Sequence, residues 1–276
     1  MKRVVLVDGL NLLFKVFYGI PNSIKNRSGE EIKGLVGFIG LLKRITNELH
    51  PYSIVVIFDS ETSKINNLKI DSNYKQNRVD YTKVIDEENP FTQLPLIKKA
   101  LDFLEIVYVE VINNEADDYI ASIIKNDKQH EFIIVSTDSD FIQLIRKNVY
   151  WYVIKGKNSI MYSTKTIKKI YGILPRQYIL FKSLVGDTSD NIKGVEGIGK
   201  VTARTILKYG SINKYIINNS NPKLSNKLLN KHLIYKNRRL IKIKDSVNTT
   251  NVTFNKLSKK ILIYKTYNII EMNKEK

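Results

Sequence analysis

Short apolar runs recur through the first half of the chain at 4–7, 54–58, 107–111, 132–135 and 149–154. The first, VVLV, is apolar and β-branched throughout, the pattern of a strand covered on both faces, and the run at 54–58 repeats it. Between the runs, apolar residues fall at helical spacing over 10–18, 34–49, 91–104 and after an acidic start at 113–118. This alternation predicts a mainly parallel sheet flanked by helices. From residue 163 onward the spacing is helical only: 164–171 with a break at Gly172, 175–184 begun by Pro175, 200–209 closed by Gly210, and a basic stretch 224–243. The segment 60–90 is polar and carries Lys64, Lys69, Lys75, Arg78 and Lys83, and an insertion this long in a compact domain has a function of its own or is disordered. Residues 246–276 show no clear pattern, and no internal repeat is present. The expected architecture is therefore an α/β core over 1–162, with an insertion at about 60–95, followed by a helical region over 163–276.

The 276 residues are 43% hydrophobic, enough for a sizeable core. Lys and Arg total 45 against 27 Asp and Glu, a net charge of +18 that favours a polyanionic partner. A Lys-, Asn- and Ile-rich composition also arises from codon bias, so the charge only supports what the motifs say. There is no cysteine, and His50, His130 and His232 are scattered, which excludes thiolate chemistry and His/Cys zinc sites. The apolar run at the start is cut by Asp8, Asn11 and Lys15, and no segment reaches the ~18 apolar residues of a membrane span. The expectation is a soluble, intracellular (cytoplasmic) monomer.

Four of the predicted strands lead into an acid: Asp8, Asp59, Glu115 and Asp138. In an open parallel sheet the carboxyl ends of the strands share one edge, where the ligand crevice lies. That edge would gather Asp8, Asp59, Glu115, Asp117, Asp118, Asp138 and Asp140. Singly, each has an ordinary reading as a helix cap, a dipole partner or a turn former. Together they do not, because two like charges ~4 Å apart repel by about 4 kcal/mol at an effective dielectric of ~20. A cluster on that scale undercuts a stability of ~5–15 kcal/mol unless acids are protonated or cations bound.

A second pair, Asp187 and Asp190, stands just before Gly194, Gly197 and Gly199. Carboxylates without His or Cys suit a hard divalent ion such as Mg²⁺. The glycines suit a tight turn whose bare backbone approaches a phosphate.

These stretches resemble the 5′-nuclease superfamily of flap endonucleases and 5′→3′ exonucleases, in its bacterial and bacteriophage branch. The motifs are VDGLNLLF at 7–14, FDS at 58–60, YKQNR at 74–78, EADD at 115–118, TDSDF at 137–141 and GDTSDNIKGVEGIG at 186–199, with a weaker echo at 233–245. The ordered set is far more specific than any member. The resemblance implies a PIN-like or resolvase-like core, a helical arch and a C-terminal helical domain with a helix–three-turn–helix motif at about 180–210. It implies two or more Mg²⁺ ions, with Mn²⁺ as a substitute. Asp8, Asp59, Glu115, Asp117 and Asp118 would form one acidic cluster, and Asp138, Asp140, Asp187 and Asp190 the other. Tyr74 would stack on a base near the cut, Lys75 and Arg78 would lie on one helical face beside it, and Lys182 would steady the phosphate. The turn with Gly194, Gly197, Gly199 and Lys200 would grip duplex backbone around a K⁺ ion. Two departures stand out: Asn66-Asn67 replaces a common Phe-Arg pair, and Val201 occupies the usual place of a lysine that Lys200 would then replace.

The implied activity is hydrolysis of DNA near 5′ ends, flaps and junctions in replication and repair. Two rivals stay open: a non-catalytic module that binds branched DNA, and an RNA-directed nuclease on a related acidic fold.

Overall fold

The computed structural model describes residues 1–59, 70–77, 79–218, 222–229, 231–250 and 252–263. The calls on Lys64, Asn66-Asn67, Lys69 and Arg78, and with them the first part of the arch expected over about 60–95, lie outside these residues. Its centre is a six-stranded sheet: β1 (Arg3–Asp8), β2 (Ser53–Asp59), β3 (Val107–Val111), β4 (Glu131–Val135), β5 (Val149–Lys155) and β6 (Asn158–Tyr162). The strand order is β3-β2-β1-β4-β5-β6, with β1 to β5 parallel and β6 antiparallel to β5. The chain therefore reverses its direction of growth between β1 and β4, the switch point where open α/β sheets bind ligands.

β1 and β2 are apolar on both faces because both faces are covered. Val5, Val7, Val56 and Phe58 pack under α1 (Gly9–Gly19), α2 (Lys33–Leu49) and α3 (Leu94–Phe103). Val4, Leu6, Val55 and Ile57 pack on the other side, against α4 (Ala116–Asn126) and the second half of the chain. That half contributes α5 (Thr164–Tyr171), α6 (Tyr178–Val185), α7 (Lys200–Lys208), α8 (Ile212–Asn218), α9 (Pro222–Leu229) and α10 (Lys231–Ile241). Phe181, Leu184, Ala203, Ile206, Leu228 and Ile234 join the same apolar cluster as Val4 and Leu6. The helical half thus shares its core with the sheet.

Several elements differ from the pattern reading. The helix expected over 91–104 starts with a 3₁₀ turn, Pro90–Gln93, before α3, whose first turn holds Pro95. The stretch 224–243 forms two helices, α9 and α10. The edge strand β6 and helix α8 were not anticipated. Most of β6 is partly exposed, so its sequence NSIMY lacks an apolar run. Lys75 was expected on a helix, but 72–77 are turn residues and Lys75 has φ +54°. Between Lys83 and Leu94 the backbone forms only short 3₁₀ turns.

The unpatterned tail also has a place. Residues 252–263 cross the amino edge of the sheet: Phe254 packs on Phe132, Leu257 N donates to Tyr52 O (2.7 Å), and α11 (Lys260–Ile263) puts Ile261 in the α2-side core. Among the described residues no helix is long and apolar enough to cross a membrane.

Candidate functional site

At the end of β1 the chain must turn from strand to helix within one residue. Gly9 allows it, since a Cβ there would lie 2.5 Å from the Phe58 ring. Asp8 caps the helix it begins, accepting from Asn11 N at 3.2 Å. Its other oxygen accepts from Ser136 Oγ at 2.9 Å, and Asp138 N donates to the same Ser136 oxygen at 3.0 Å. Asp138 in turn caps the 3₁₀ turn Ser139–Leu144, accepting from Asp140 N at 2.8 Å. The cap reading of these acids holds, and it does not exclude a role at the site, since the cap hydrogen bond occupies only one carboxylate oxygen of each.

From Asp140 the contacts cross into the helical half. Lys182 Nζ lies 2.9 Å from Asp140 Oδ1 and also pairs with Asp187. The Tyr178 hydroxyl lies 3.2 Å from Asp140 Oδ1. Asp187 ends β7 (Gly186–Asp187), paired with β8 (Ile192–Lys193), and accepts from Ser189 N and Oγ. This hairpin closes tightly: a Cβ on Gly194 would sit 2.2 Å from Val185 O, a separation no side chain tolerates. One carboxylate oxygen each from Asp140, Asp187 and Asp190 lies within 4.8 Å of the others.

On the opposite side Asp59 accepts from Ala116 N, which ties the end of β2 to the start of α4. Glu115 occupies the cap position of α4 but makes no cap hydrogen bond; it pairs with Lys75 at 2.8 Å, each side chain only 10% exposed. Lys75 N donates to Asp190 O at 3.2 Å. Tyr74, 4% exposed, has its hydroxyl 3.5 Å from Glu115 and 3.4 Å from Asp190.

Glu115, Asp117, Asp118, Asp138, Asp140 and Asp190 consequently line one pocket, with Tyr74, Lys75 and residues 240–243. Crowding leaves an electrostatic signature. Burial, then the charge of Asp59, pushes the Asp8 carboxyl up to about 7. Burial and Asp138 push Asp140 up to about 7. Burial raises Asp118 to about 6 against the pull of Lys244, and burial with Glu115 and Asp118 raises Asp117 well above the carboxylate range. Asp138 is raised too, chiefly by burial. Asp187 goes the other way: burial opposes it, but hydrogen bonds from Lys182 and Ser189 hold it low. Burial alone would lower Lys182, yet Asp140 and the bonds to Asp140 and Asp187 hold it above the ordinary lysine value. A donor set of carboxylates, several of them raised by burial and by one another's charge, fits a hard divalent cation.

Two family models together match residues 3–261: the 5′-3′ exonuclease N-terminal resolvase-like domain over 3–172 and the 5′-3′ exonuclease C-terminal SAM fold over 173–261. The chain belongs to the 5′-3′ exonuclease family. It is 32% identical over 221 residues to the 5′-3′ exonuclease of Aquifex aeolicus, covering 79% of this chain and 73% of that protein. It is 33% identical over 221 residues to the thermostable DNA polymerase I of Thermus filiformis, but spans only 25% of that longer protein. Among solved structures, the bacteriophage T5 flap endonuclease, in a pseudo-enzyme–product complex with DNA and metal ions, superposes with a TM-score of 0.70 at 22% identity, covering 99% of this chain and 100% of that one. The catalytic core of Rad2 in complex with a DNA substrate follows at 0.61 and 15%, covering 98% and 90%. At those identities the likeness is one of fold.

Within this 5′-3′ exonuclease fold, Gly194, Gly197, Gly199 and Lys200 stay out of the acidic pocket; Gly197 has φ +80° and Lys200 opens α7 on the surface. Sequence reasoning missed Ser136, Tyr178 and the backbone of 240–244. Lys244 N donates to Asp118 Oδ1 at 2.6 Å, and Gln143 bonds both Ile241 O and Ile243 N at 3.0 Å. The echo at 233–245 was the only signal for that segment, because backbone donors leave no mark on residue type.

Proposed function

We propose that this member of the 5′-3′ exonuclease family is a structure-specific 5′ nuclease, hydrolysing DNA near 5′ ends, flaps and junctions with Mg²⁺. The observation that carries the reading is the convergence on one pocket of acids from the turn after β4, from the start of α4 and from the β7–β8 hairpin, beside buried Lys75 and Lys182. Asp8, Asp59, Glu115, Asp117 and Asp118 are assigned to one metal position, and Asp138, Asp140, Asp187 and Asp190 to the other. When bound, the ions supply charge neutralisation and a polarised water, with Mn²⁺ as an alternative.

The chain's own residues do the rest. Lys182, held charged between Asp140 and Asp187, meets negative charge developing on the phosphate; Lys75 does so from the Glu115 side, and Arg78 is assigned the same role from its place in the sequence. Tyr178 and Ser136 keep Asp140 and Asp8 oriented. Tyr74 reaches a base only if the turn 71–77 lifts from Glu115 and Asp190, so base stacking is assigned to an opened state. The turn at Gly194, Gly197 and Gly199, with Lys200, is assigned to duplex backbone and a K⁺ ion. The division into a core over 1–162 and a helical region over 163–276, a monomeric state and a cytoplasmic location belong to the same reading.

The test is cleavage of a 5′-labelled flap oligonucleotide across an Mg²⁺ titration, with an RNA analogue and an EDTA control alongside. Short 5′ products that need Mg²⁺ and DNA are expected. No cleavage at any divalent-ion concentration leaves only a binding module, and preferential cleavage of the analogue makes the enzyme an RNA nuclease.

A further inference from the structure

Helix α10 has two unlike faces. Ile234, Asn237, Leu240 and Ile241 are buried, and Asn237 Nδ2 donates to Ser183 O (3.0 Å) and Lys193 O (2.8 Å), fixing this face to α6 and β8. At about 100° per residue, the outer face collects Lys231, Tyr235, Arg238 and Arg239 within an arc of roughly 100°. Lys242 N donates to Arg238 O at 3.0 Å, so the helical path continues through Lys242 and adds it to the stripe. All five residues are exposed, Tyr235 to 60%.

Four of the five are cations and none is an acid. Nearby Lys227 and Lys236 are paired, with Glu196 at 3.3 Å and Asp71 at 2.6 Å. Among the described residues, no carboxylate pairs with Lys231, Arg238, Arg239 or Lys242. Lys242 also lines the acidic pocket. The stripe therefore leaves the pocket wall and runs outward for about 16 Å, at 1.5 Å per residue. Cations alone would suit any polyanion. A ring left open among them suits a strand whose bases are unstacked, because a tyrosine face stacks on any exposed base and a duplex hides its base faces.

We infer that this stripe is a track for single-stranded DNA, with Tyr235 as a stacking platform, Arg238, Arg239 and Lys242 taking phosphates between it and the acidic pocket, and Lys231 taking one on its far side. The direction of the track rests on the nuclease reading above; the stripe as a binding surface does not.

Binding measured by fluorescence anisotropy in EDTA, with a labelled single strand and a blunt duplex of equal length, tests it. Tyr235→Ala should weaken single-strand binding about 5- to 150-fold, the equivalent of ~1–3 kcal/mol per stacked base. Tyr235→Phe should bind as the native protein does, and neither change should move duplex binding more than about twofold. Replacing Arg238 and Arg239 together by Ala should flatten the dependence of log K on log salt by about 1.4 for the single strand, at ~0.7 per phosphate contact. Thermal melting confirms folding, since every substituted side chain is exposed. Native single-strand binding by Tyr235→Ala overturns the track, as does an equal loss for strand and duplex. A protein that cuts no substrate would overturn the nuclease reading while these affinities still decide the stripe.

Discussion

At the carboxyl edge of the six-stranded sheet, β1 ends at Asp8 and β2 at Asp59, and the turn after β4 adds Asp138 and Asp140. At the amino edge the same strands begin beside partnered acids: Glu131 pairs with Arg3 at 2.7 Å, and Asp127 hydrogen-bonds the His130 ring at 2.8 Å. There, hydrogen bonds from His130 and Gln129 hold Asp127 low against the push of burial, whereas Asp8 is driven up to about 7. The chain even covers the amino edge, with Phe254 over His130 and Leu257 on Tyr52. One edge is built for stability and the other stores repulsion. Crowded acids that exceed their lysine partners are tolerated by taking up protons or by binding cations, and that excess is what sets the carboxyl edge apart from the amino edge.

The sharpest way to break that contrast is to remove a charge from each edge. Asp187→Ala takes away a candidate ligand and strands Lys182 beside Asp140, and it should lower single-turnover flap cleavage by at least about 100-fold, the scale of losing one charge-stabilising group. An Asp187→Ala protein that cuts normally would show that the carboxyl-edge acids are structural.

Stability without metal sharpens the comparison next. Folded Asp8 and Asp140 titrate near 7 and Asp118 near 6, each from an ordinary value of 3.8. The folded state therefore holds protons that the unfolded chain has already lost. The stability they contribute is complete below about pH 4 and is lost as pH rises through 7. Asp187 is shifted down and Lys182 up, so neither changes charge in this window. In EDTA the melting temperature should fall by several °C between pH 5 and pH 8, given ~1.4 kcal/mol per pKa unit and ~2–4 °C per kcal/mol. Asp140→Asn should raise it at pH 8, and added Mg²⁺ should flatten the slope. A curve that rises over this range in EDTA would mean that the acids are not crowded.

Much of this site was legible because strands and acids announce themselves by residue type. The short, β-branched apolar runs at 4–7 and 54–58 are typical of covered strands, and in a parallel sheet their carboxyl ends share one edge. What stayed illegible depended on backbone or on weak amphipathicity. Lys75 was placed on a helix because Lys75 and Arg78 are three apart, but a left-handed residue in a turn gives the same spacing. The apolar residues of the strap 252–263 follow no single period, because most of it is neither strand nor helix, yet Phe254, Leu257 and Ile261 each find a buried contact. Asn237 read as one more polar residue in a basic helix; only the fold reveals that it serves two carbonyls.

That asparagine gives an intermediate effect. Asn237→Ala should cost about 1–3 kcal/mol in urea unfolding, since it removes the amide that donates to the Ser183 carbonyl in a buried bond and to the Lys193 carbonyl in a part-buried one. It should also weaken cleavage, because α6 carries Lys182 and β8 pairs with the strand holding Asp187. Loss of stability with unchanged cleavage would separate the helical frame from the acid geometry.

The smallest change belongs to the amino edge. Glu131→Gln removes the partner of a half-exposed Arg3, whose guanidinium keeps its second bond to Leu49 O at 2.6 Å. Exposed pairs of this kind contribute ~0–1 kcal/mol, so unfolding should shift by no more than that and cleavage by less than about twofold. The same single-charge neutralisation that should raise the metal-free melting temperature at Asp140 should lower it slightly at Glu131. If Glu131→Gln instead stabilised the metal-free protein at pH 8 as much as Asp140→Asn, the gain would not be specific to the carboxyl edge and local crowding would not account for it. With a formal net charge of +18, however, removing an acid anywhere increases the global imbalance, so a gain confined to the carboxyl edge can only be local.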